Sequence, residues 1–306
     1  MKALIFGGTG FIGKHLCREL LSAGYKVCIV SRNQKKVGLM GSGVAAIEWN
    51  ISADSLPVEP LEDVNLIINL AGESIGNRRW TQPVKEKILD SRVQTTQAIV
   101  NAIKQKRVTP KVLINASAIG FYGPQRDEDI TESTPAGQDF LAKVCQDWEE
   151  EAFKAQALGV RVVAVRFGVV LGDEGALSRM KTPFRFYMGG PLGTGAQWIS
   201  WIHIKDLTRL IRFAAENENL NGPVNATAPE PVRMKELCNI LGQVMGSPSW
   251  LPVPGYLLKV VLGEMSDMLL NSQRVLPKRI LKEGFQFRFP APKTALEDII
   301  ERRNGF

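Results

Sequence analysis

A glycine-rich turn near the amino terminus is the first group of residues whose types and spacing could do chemistry. It reads Gly7-Gly8-Thr9-Gly10-Phe11-Ile12-Gly13 and directly follows a short apolar run. Gly7 permits a tight turn, Gly10 lets a diphosphate approach the backbone, and Gly13 lets helix and strand pack closely. The N–H groups at the helix start then favour phosphate. The turn therefore predicts a dinucleotide site, whose ligands are Gly7, Thr9, Gly10, Phe11, Ile12 and Gly13.

The end of the next apolar segment indicates which dinucleotide is bound. It reads Val30-Ser31-Arg32-Asn33 and contains no carboxylate. A carboxylate there would hold the ribose 2′-hydroxyl of NAD and repel a 2′-phosphate. Arg32 can instead hold a phosphate with two hydrogen bonds, and Ser31 can donate beside it. We therefore predict NADP(H) rather than NAD, with a solvated loop arginine as the alternative for Arg32.

Alternating strand and helix signals must position these residues. Apolar runs predict strands at 3–6, 27–30, 44–49, 64–70, 111–116 and 160–166, and helical spacing predicts helices at 11–23, 85–104 and 139–158. Strands separated by helices require right-handed crossovers and a parallel sheet covered on both faces. The fold class is therefore α/β, a Rossmann-like doubly wound parallel sheet with a smaller C-terminal α/β substrate lobe.

The composition of the chain changes after Gly168, where glycine and proline become frequent. Helices are predicted at 205–216 and 234–245, and a short strand at 223–227. We expect an NADP(H)-binding domain at residues 1–167, to which a later segment at about 201–228 returns. The rest of residues 168–306 forms the smaller lobe, and two-lobed α/β proteins place ligands at the lobe junction.

Composition excludes several classes of protein. The 306 residues are 44% hydrophobic and 23% charged, which is typical of a globular protein. The four cysteines form no CxxC pair, and two histidines make a His-rich metal site improbable, so we expect reduced thiols, no metal and a cytoplasmic protein. No apolar run reaches the ~18 residues of a membrane span. The net charge of +7 is scattered, so no nucleic-acid partner is expected.

Further segments match one superfamily in chain order. They are Asn69-Leu70-Ala71-Gly72, Asn115-Ala116-Ser117 with Tyr122-Gly123, the run RFGVVLG that begins at Arg166, and the run WIHIKD that begins at Trp201. Together with the glycine turn, they resemble the extended short-chain dehydrogenase/reductases. The longer runs LAGESI, INASAIGFYG, GGPLGTGAQWISWIHIKD and RVLPKRILKEGFQF resemble one atypical subgroup. That subgroup is described as NAD-dependent epimerase/dehydratase or nucleoside-diphosphate-sugar epimerase, with a C-terminal domain of unknown function.

The resemblance implies further site residues. Leu70, Ala71 and Gly72 would line the cofactor, and Gly168 would lie beside the nicotinamide. Glu73 is a candidate ribose ligand or base, and Asn50 completes the predicted cofactor ligands. Some relatives in this subgroup are labelled cell-division inhibitors.

The sequence departs from the superfamily at its acid/base pair, Tyr-x-x-x-Lys. No such pair occurs anywhere in the chain. Phe140 stands in the tyrosine position and cannot transfer a proton, and Val144 stands in the lysine position. Lys143 lies one residue early, about 100° around the helix. It is a candidate for the ribose contact, with a solvated helix lysine as the alternative.

Other side chains could supply the missing chemistry. Ser117 is expected at the carboxyl end of the fifth strand, where its hydroxyl could bind a substrate oxygen. Tyr122 is the nearest candidate proton donor, and its alternative role is packing. His203, between apolar neighbours, is more typical of a core or lobe-junction residue than of a catalyst. The predicted catalytic residues are therefore Ser117, Tyr122 and Lys143.

Two functions are compatible with the sequence. One is an NADP(H)-dependent oxidoreductase or epimerase acting on a small anionic molecule such as a sugar nucleotide. The other is a catalytically weak protein that senses NADP(H) and acts through a protein partner, for example in cell division. The missing Tyr/Lys pair motivates the second. A homodimer is compatible with either function.

Overall fold

The computed structural model of the protein describes residues 1–31, 43–49, 63–125 and 127–304. Its strands are β1 (Lys2–Phe6), β2 (Lys26–Ser31), β3 (Val44–Glu48), β4 (Val64–Asn69), β5 (Val112–Ala118), β6 (Asp129–Ile130), β7 (Arg161–Phe167), β8 (Val169–Leu171), β9 (Trp198–Ile199), β10 (Trp201–His203), β11 (Gly222–Ala226), β12 (Val232–Arg233) and β13 (Arg274–Val275). Its helices are α1 (Phe11–Ser22), α2 (Gln82–Lys104), α3 (Phe140–Phe153), α4 (Ala176–Arg185), α5 (Ile204–Glu216), α6 (Met234–Met245), α7 (Gly255–Leu262), α8 (Asp267–Leu270), α9 (Lys278–Lys282) and α10 (Pro292–Asn304).

A parallel sheet forms the centre of the molecule. Its described strands follow the order β11-β7-β5-β4-β1-β2-β3, and every neighbouring pair is parallel. The central strands β1 and β4 bury nearly all their residues, which is why they read as continuous apolar runs. The strand order reverses between β1 and β4, and in such sheets a crevice opens there at the carboxyl ends of the strands. The predicted α/β, Rossmann-like fold class is confirmed.

Helices cover both faces of this sheet. Leu16 of α1 and Leu210 of α5 belong to one buried apolar cluster, and Ile99 of α2 and Ala152 of α3 belong to another. The helices α1 and α5 contact each other on the first face, and α2 and α3 do so on the second. This doubly wound arrangement fixes the ends of the central strands, from which the site residues project.

Local sequence explains where the helices begin and end. Helix α2 begins at Gln82, earlier than the predicted residue 85, because Thr81 and Pro83 suit the extended cap and first turn of a helix. Asp139 caps α3 by accepting a hydrogen bond from the Ala142 N–H at 2.8 Å. The helix predicted at 139–158 ends as an α-helix at Phe153 and continues as a 3₁₀ turn up to Gly159, whose φ is +81°.

The second half of the chain builds a smaller packed region and also returns to the main sheet. Phe184 of α4, Leu237 of α6 and Leu296 of α10 share a separate buried cluster. Helix α4 was not predicted from the sequence, because it contains Pro183 and lies among glycines. The strand β11 joins the main sheet beside β7. The exact boundary between residues 167 and 168 stays a prediction. Within the described ranges, no helix is long and apolar enough to span a membrane.

Candidate cofactor and active site

The glycine turn between β1 and α1 is closed as tightly as its sequence predicts. Gly7 has a φ of +75°, and a Cβ atom at this position would lie 2.7 Å from the carbonyl oxygen of Leu70. A Cβ at Gly13 would lie 2.5 Å from the carbonyl oxygens of both Gly7 and Gly8. Such contacts are too short for any side chain, so only glycine fits at either position. The turn therefore lies directly against the end of β4.

The start of α1 is open to an anion. Gly10 occupies the N-cap position with extended backbone and provides no side-chain cap. Its own N–H donates to the carbonyl of Gly7 at 3.1 Å, which fixes the turn. The N–H groups of Phe11, Ile12 and Gly13 belong to the first turn, where no intrahelical acceptor exists. Gly10 is exposed, and Thr9, Phe11 and Ile12 are half-buried. This geometry suits a phosphate group.

The predicted cofactor ligands on neighbouring strands converge on the same edge of the sheet. Ser31 is the last residue of β2, and Leu70 follows the last residue of β4. From Leu70 to Glu73 the chain changes from half-buried to exposed, as expected for a segment that leaves the sheet into a crevice. The structure thus brings the turn, Ser31 and residues 70–73 together at the reversal point. Arg32 and Asn50 lie outside the described residues.

Hydrogen bonds fix the backbone of two predicted cofactor ligands, Glu73 and Gly168. The Glu73 N–H donates to Ser91 Oγ at 2.9 Å, and Arg92 donates to the Glu73 carbonyl at 3.1 Å, so α2 holds this backbone while the side chain is exposed. Gly168 follows β7, three strands away from β1, and its N–H donates to the Ala226 carbonyl at 3.0 Å. The roles of both residues stay predictions.

Ser117 does lie near the end of β5, but its hydroxyl faces α3. It is buried and donates to Glu149 Oε1 at 2.6 Å. The same carboxylate accepts two hydrogen bonds from Arg166, from Nε at 2.8 Å and from Nη2 at 2.7 Å. Burial alone would lower the pKa of Arg166, but the hydrogen bonds and the charge of Glu149 outweigh it and raise that pKa. Arg166 therefore keeps its charge inside the protein, held by the carboxylate of Glu149.

Tyr122 extends this set of hydrogen bonds from Arg166 to β11. Its hydroxyl accepts a hydrogen bond from Arg166 Nη1 at 2.9 Å and donates to Asn225 Oδ1 at 2.6 Å. Burial raises the pKa of Tyr122, and the neighbouring Arg166 offsets only part of the effect. We refer to Ser117, Tyr122, Glu149, Arg166 and Asn225 as the buried polar network. All five are less than 5% exposed, so neither hydroxyl reaches solvent in this conformation.

The ion pair at the centre of this network was not predicted from the sequence, although the sequence contains a signal for it. Glu149 is spaced four residues after the buried Cys145 and three before the buried Ala152, so it lies on the apolar face of α3. Arg166 interrupts the apolar run of residues 162–167 in β7. A carboxylate and a guanidinium that both occupy core positions must be paired, because an isolated buried charge is too costly.

The start of α3, where the superfamily places its tyrosine, is an aromatic contact here. The ring of Phe140 packs edge-on against Trp80 with centroids 5.4 Å apart, and Lys85 Nζ lies 5.1 Å from the Phe140 centroid. Lys143 points away to solvent: its side chain is 68% exposed and bonds Asp147 at 2.6 Å. The structure therefore does not bring Lys143 into the buried polar network. Its predicted role at the ribose stays a prediction.

A cluster of arginine and tryptophan lies beside the loop that follows β5. Arg233 Cζ is 4.0 Å and Arg274 Cζ is 5.0 Å from the centroid of the Trp198 ring. Asp127 binds both Arg233, at 2.8 Å, and the Trp198 indole N–H, at 2.9 Å. Gln273, next to Arg274, donates to the carbonyl of Gly123 at 2.7 Å, which joins the cluster to that loop.

His203 has the structural environment that its apolar neighbours suggest. It is buried, its Nδ1 accepts a hydrogen bond from the Lys205 N–H at 3.1 Å, and its ring stacks on Phe289 with centroids 4.0 Å apart. The histidine thereby caps α5 and holds the segment that precedes α10.

A doubly wound sheet with a glycine turn of this form defines a short-chain dehydrogenase/reductase-like protein. Comparison with known proteins makes the assignment specific. The family model described as "NAD dependent epimerase/dehydratase family" matches residues 3–226, and a second, "Domain of unknown function (DUF1731)", matches residues 253–299. The chain belongs to the NAD dependent epimerase/dehydratase family, as its resemblance predicted.

Its relatives span the chain. Epimerase family protein YfhF of Bacillus subtilis is 41% identical over 304 residues, covering 99% of each protein. A chloroplastic SDR39U1 homolog of Arabidopsis thaliana is 39% identical and covers 98% of this chain and 87% of its own. Human epimerase family protein SDR39U1, solved with NADPH, superposes with a TM-score of 0.88 at 35% identity, covering 98% of this chain and 99% of that one.

Proposed function

We propose that this protein binds NADP(H) with the β1–α1 turn and uses it in redox or epimerase chemistry. The observation that carries the proposal is the closed glycine turn, in which Gly7 and Gly13 leave room only for backbone, next to an uncapped helix start. A diphosphate fits this cradle because it needs N–H donors and close approach rather than side chains. The NADPH in the human relative supports the same coenzyme here.

The proposed coenzyme ligands divide into three groups. The turn binds the diphosphate, Ser31 and Arg32 bind the 2′-phosphate of the adenosine half, and residues 70–73 line the crevice. Asn50 and Gly168 complete the set. When bound, the nicotinamide gives or takes a hydride, while the protein orients it and manages a proton.

The proposed substrate is a small anionic molecule such as a sugar nucleotide. Arg233 and Arg274 supply two guanidinium groups next to the Trp198 ring, which suits a phosphate attached to an aromatic base. Arg233 is paired with Asp127 at 2.8 Å and Arg274 with Asp129 at 2.7 Å, so an anion would have to displace both carboxylates. Replacing Arg274 with Met should therefore weaken binding of a sugar nucleotide without affecting that of NADPH.

Ser117, Tyr122 and Lys143 remain the proposed catalytic residues. Ser117 and Tyr122 already share a connected set of hydrogen bonds through Glu149 and Arg166, which could keep a proton at the Tyr122 oxygen. Because both hydroxyls are enclosed, catalysis by them requires the loop after β5 to open when substrate binds. The proposal thus includes a conformational step.

A second candidate function follows from the same enclosure. Phe140 and Val144 stand in place of the Tyr/Lys pair, and the nearest hydroxyls are held inside the core. Such a protein is suited to binding NADP(H) without turnover. In that case it would report the coenzyme to a protein partner.

Hydride exchange separates the two functions. If the protein is an enzyme, NADPH labelled at the transferable hydrogen should pass the label to the carbonyl carbon of a keto-sugar nucleotide and become NADP⁺. In the reverse direction, NADP⁺ should take the label from the corresponding labelled sugar nucleotide. Tyr122→Phe should lower that rate, and the exposed Tyr256→Phe serves as the matched control. Complete inertness of the wild type, despite tight NADPH binding, would favour the sensor.

The phosphate assignment has its own test. Arg32→Asp should weaken NADPH binding far more than NADH binding, because the new carboxylate repels the 2′-phosphate but suits a free ribose hydroxyl. Arg107→Asp, far along the chain after α2, controls for a general change of charge. Equal losses for both coenzymes would remove the basis for preferring NADP(H).

A further inference from the structure

Helix α7 presents its apolar side to solvent. None of its eight residues is buried, although its sequence is GYLLKVVL. At about 100° per residue, Tyr256, Leu257, Val260 and Val261 occupy a continuous arc of about 140°. These four side chains are 43–70% exposed. A surface helix normally buries such an arc, so this one has an unusual orientation.

Two segments that lead into α7 also expose apolar side chains. Residues 186–188 are 51–67% exposed, and Trp250 and Leu251 are 63% and 40% exposed. The Trp250 indole N–H donates to the Tyr187 carbonyl at 2.9 Å, which joins the two segments. A paired ribbon connects them to α7, since Leu192 bridges Val253 just before the helix. We define the apolar face as residues 186–188, residues 250–251 and the outward arc of α7.

The apolar face is as large as the largest apolar patch that a monomer normally exposes. Its four aromatic side chains are each 63–68% exposed. With about 150–250 Å² per aromatic side chain, they alone leave roughly 400–650 Å² uncovered. The largest apolar patch of a typical monomer is about 300–600 Å² in total. Aliphatic residues of α7 add further area, so the face is large enough for a binding surface.

One aromatic residue of this face, Tyr187, has an unfavourable backbone conformation. Tyr187 has a φ of +57°, a left-handed conformation that a bulky residue rarely adopts. Its N–H bonds the Phe184 carbonyl at 3.0 Å, and the next N–H, of Met188, bonds the Pro183 carbonyl at 3.0 Å. Those bonds hold the Tyr187 side chain outward, where it is 63% exposed.

The charged residues that border the apolar face are mainly basic. Arg185 precedes residues 186–188, Lys259 lies on α7, and Arg79 approaches Gly263 at the end of that helix. All three are exposed. Two carboxylates lie nearby: Glu264, which is paired with Lys85, and the exposed Asp267 at the start of α8. A second copy of the chain would bring like charges together, whereas an anionic surface would complement them.

We propose that the apolar face docks this protein onto an anionic lipid bilayer. The aromatic residues match the headgroup region, where Trp and Tyr are enriched, and the aliphatic arc of α7 would enter the acyl boundary. Arg79, Arg185 and Lys259 would contact anionic headgroups, each adding attraction that salt screens. The helix lies on the surface in this arrangement and does not cross the membrane.

Vesicle co-sedimentation tests the proposal with the full chain. Wild-type protein should sediment with vesicles of phosphatidylcholine mixed with phosphatidylglycerol, and much less with phosphatidylcholine alone. Val260→Asp should weaken this binding by about tenfold or more, since it puts a carboxylate in the inserted arc. Leu281→Asp on α9, where Leu281 is 44% exposed, is the matched control and should bind like the wild type. Lys259→Glu combined with Arg185→Glu should remove the preference for anionic lipid.

The remaining outcomes would overturn the proposal. Absence of wild-type binding to both vesicle types does so, and so does equal binding by Val260→Asp. Sedimentation equilibrium adds a further criterion: a wild-type dimer that Val260→Asp converts to monomer, without vesicle binding, would assign the face to a second copy instead. Circular dichroism on each variant confirms that the fold is intact.

Discussion

Arg166 donates to both carboxylate oxygens of Glu149, at 2.8 and 2.7 Å, in a part of the protein where both side chains are buried. The pair connects β7 to α3; Glu149 also accepts a hydrogen bond from Ser117, and Arg166 donates one to Tyr122. The positions of the superfamily's catalytic pair are taken by Phe140 and Val144, so the ion pair is a separate feature of this chain. It cross-links a helix and a strand inside the core.

Removing one partner of this ion pair should destabilise the protein strongly. We expect Arg166→Met to lower the free energy of unfolding by about 3–5 kcal/mol, because it leaves the Glu149 carboxylate buried without its counter-charge. Urea denaturation measures this loss. The double variant Arg166→Met with Glu149→Leu should recover much of it, since no isolated charge then remains. A loss below about 1 kcal/mol for the single variant would contradict the described pairing.

The glycine turn allows a matched comparison of two glycines with positive φ. Gly7→Ala places a Cβ 2.7 Å from the Leu70 carbonyl oxygen, whereas a Cβ at Gly159 meets nothing within 4 Å. Both substitutions cost about 1–2 kcal/mol through the left-handed backbone. Only Gly7→Ala should also displace the turn and reduce NADPH affinity, by about tenfold or more. Fluorescence titration of both variants checks this, and an equal effect on affinity would show that the turn is not the coenzyme site.

Buried thiols should make the protein less stable in alkali. Burial raises the pKa of Cys17 from 9.0 to about 12. A group with a raised folded pKa stabilises fully below its unfolded pKa, and that contribution is lost as pH rises from about 9 towards 12. Between pH 8 and pH 10.5 Cys17 alone should account for a fall on the order of 2 kcal/mol. Urea denaturation of Cys17→Ala should show a smaller decline than the wild type, and parallel pH profiles would contradict the assignment.

Much of the fold and of the coenzyme crevice could be predicted from the sequence because local signals dominate there. β1 and β4 are short apolar runs, and the glycine spacing of the turn follows directly from β1. The segment after β4 meets the turn because parallel strands in this order place their carboxyl ends together. None of this requires knowledge of distant side-chain contacts.

The rest of the candidate site depends on contacts that spacing alone does not show. Ser117 is separated from Glu149 by 32 residues and Tyr122 from Asn225 by 103, so their hydrogen bonds arise only when the sheet is assembled. The side-chain alternation of a strand can place a hydroxyl towards the crevice or towards a helix. For Ser117 the structure selects α3, and sequence reasoning had no means to decide this.

Calorimetric titration of coenzyme-free protein with NADPH and NADH tests the central claim most directly. The account predicts saturable binding of one NADPH per chain, at least about tenfold tighter than NADH, with the affinity lost in Gly7→Ala and retained in Gly159→Ala. Absence of measurable NADPH uptake by the folded wild type would contradict it.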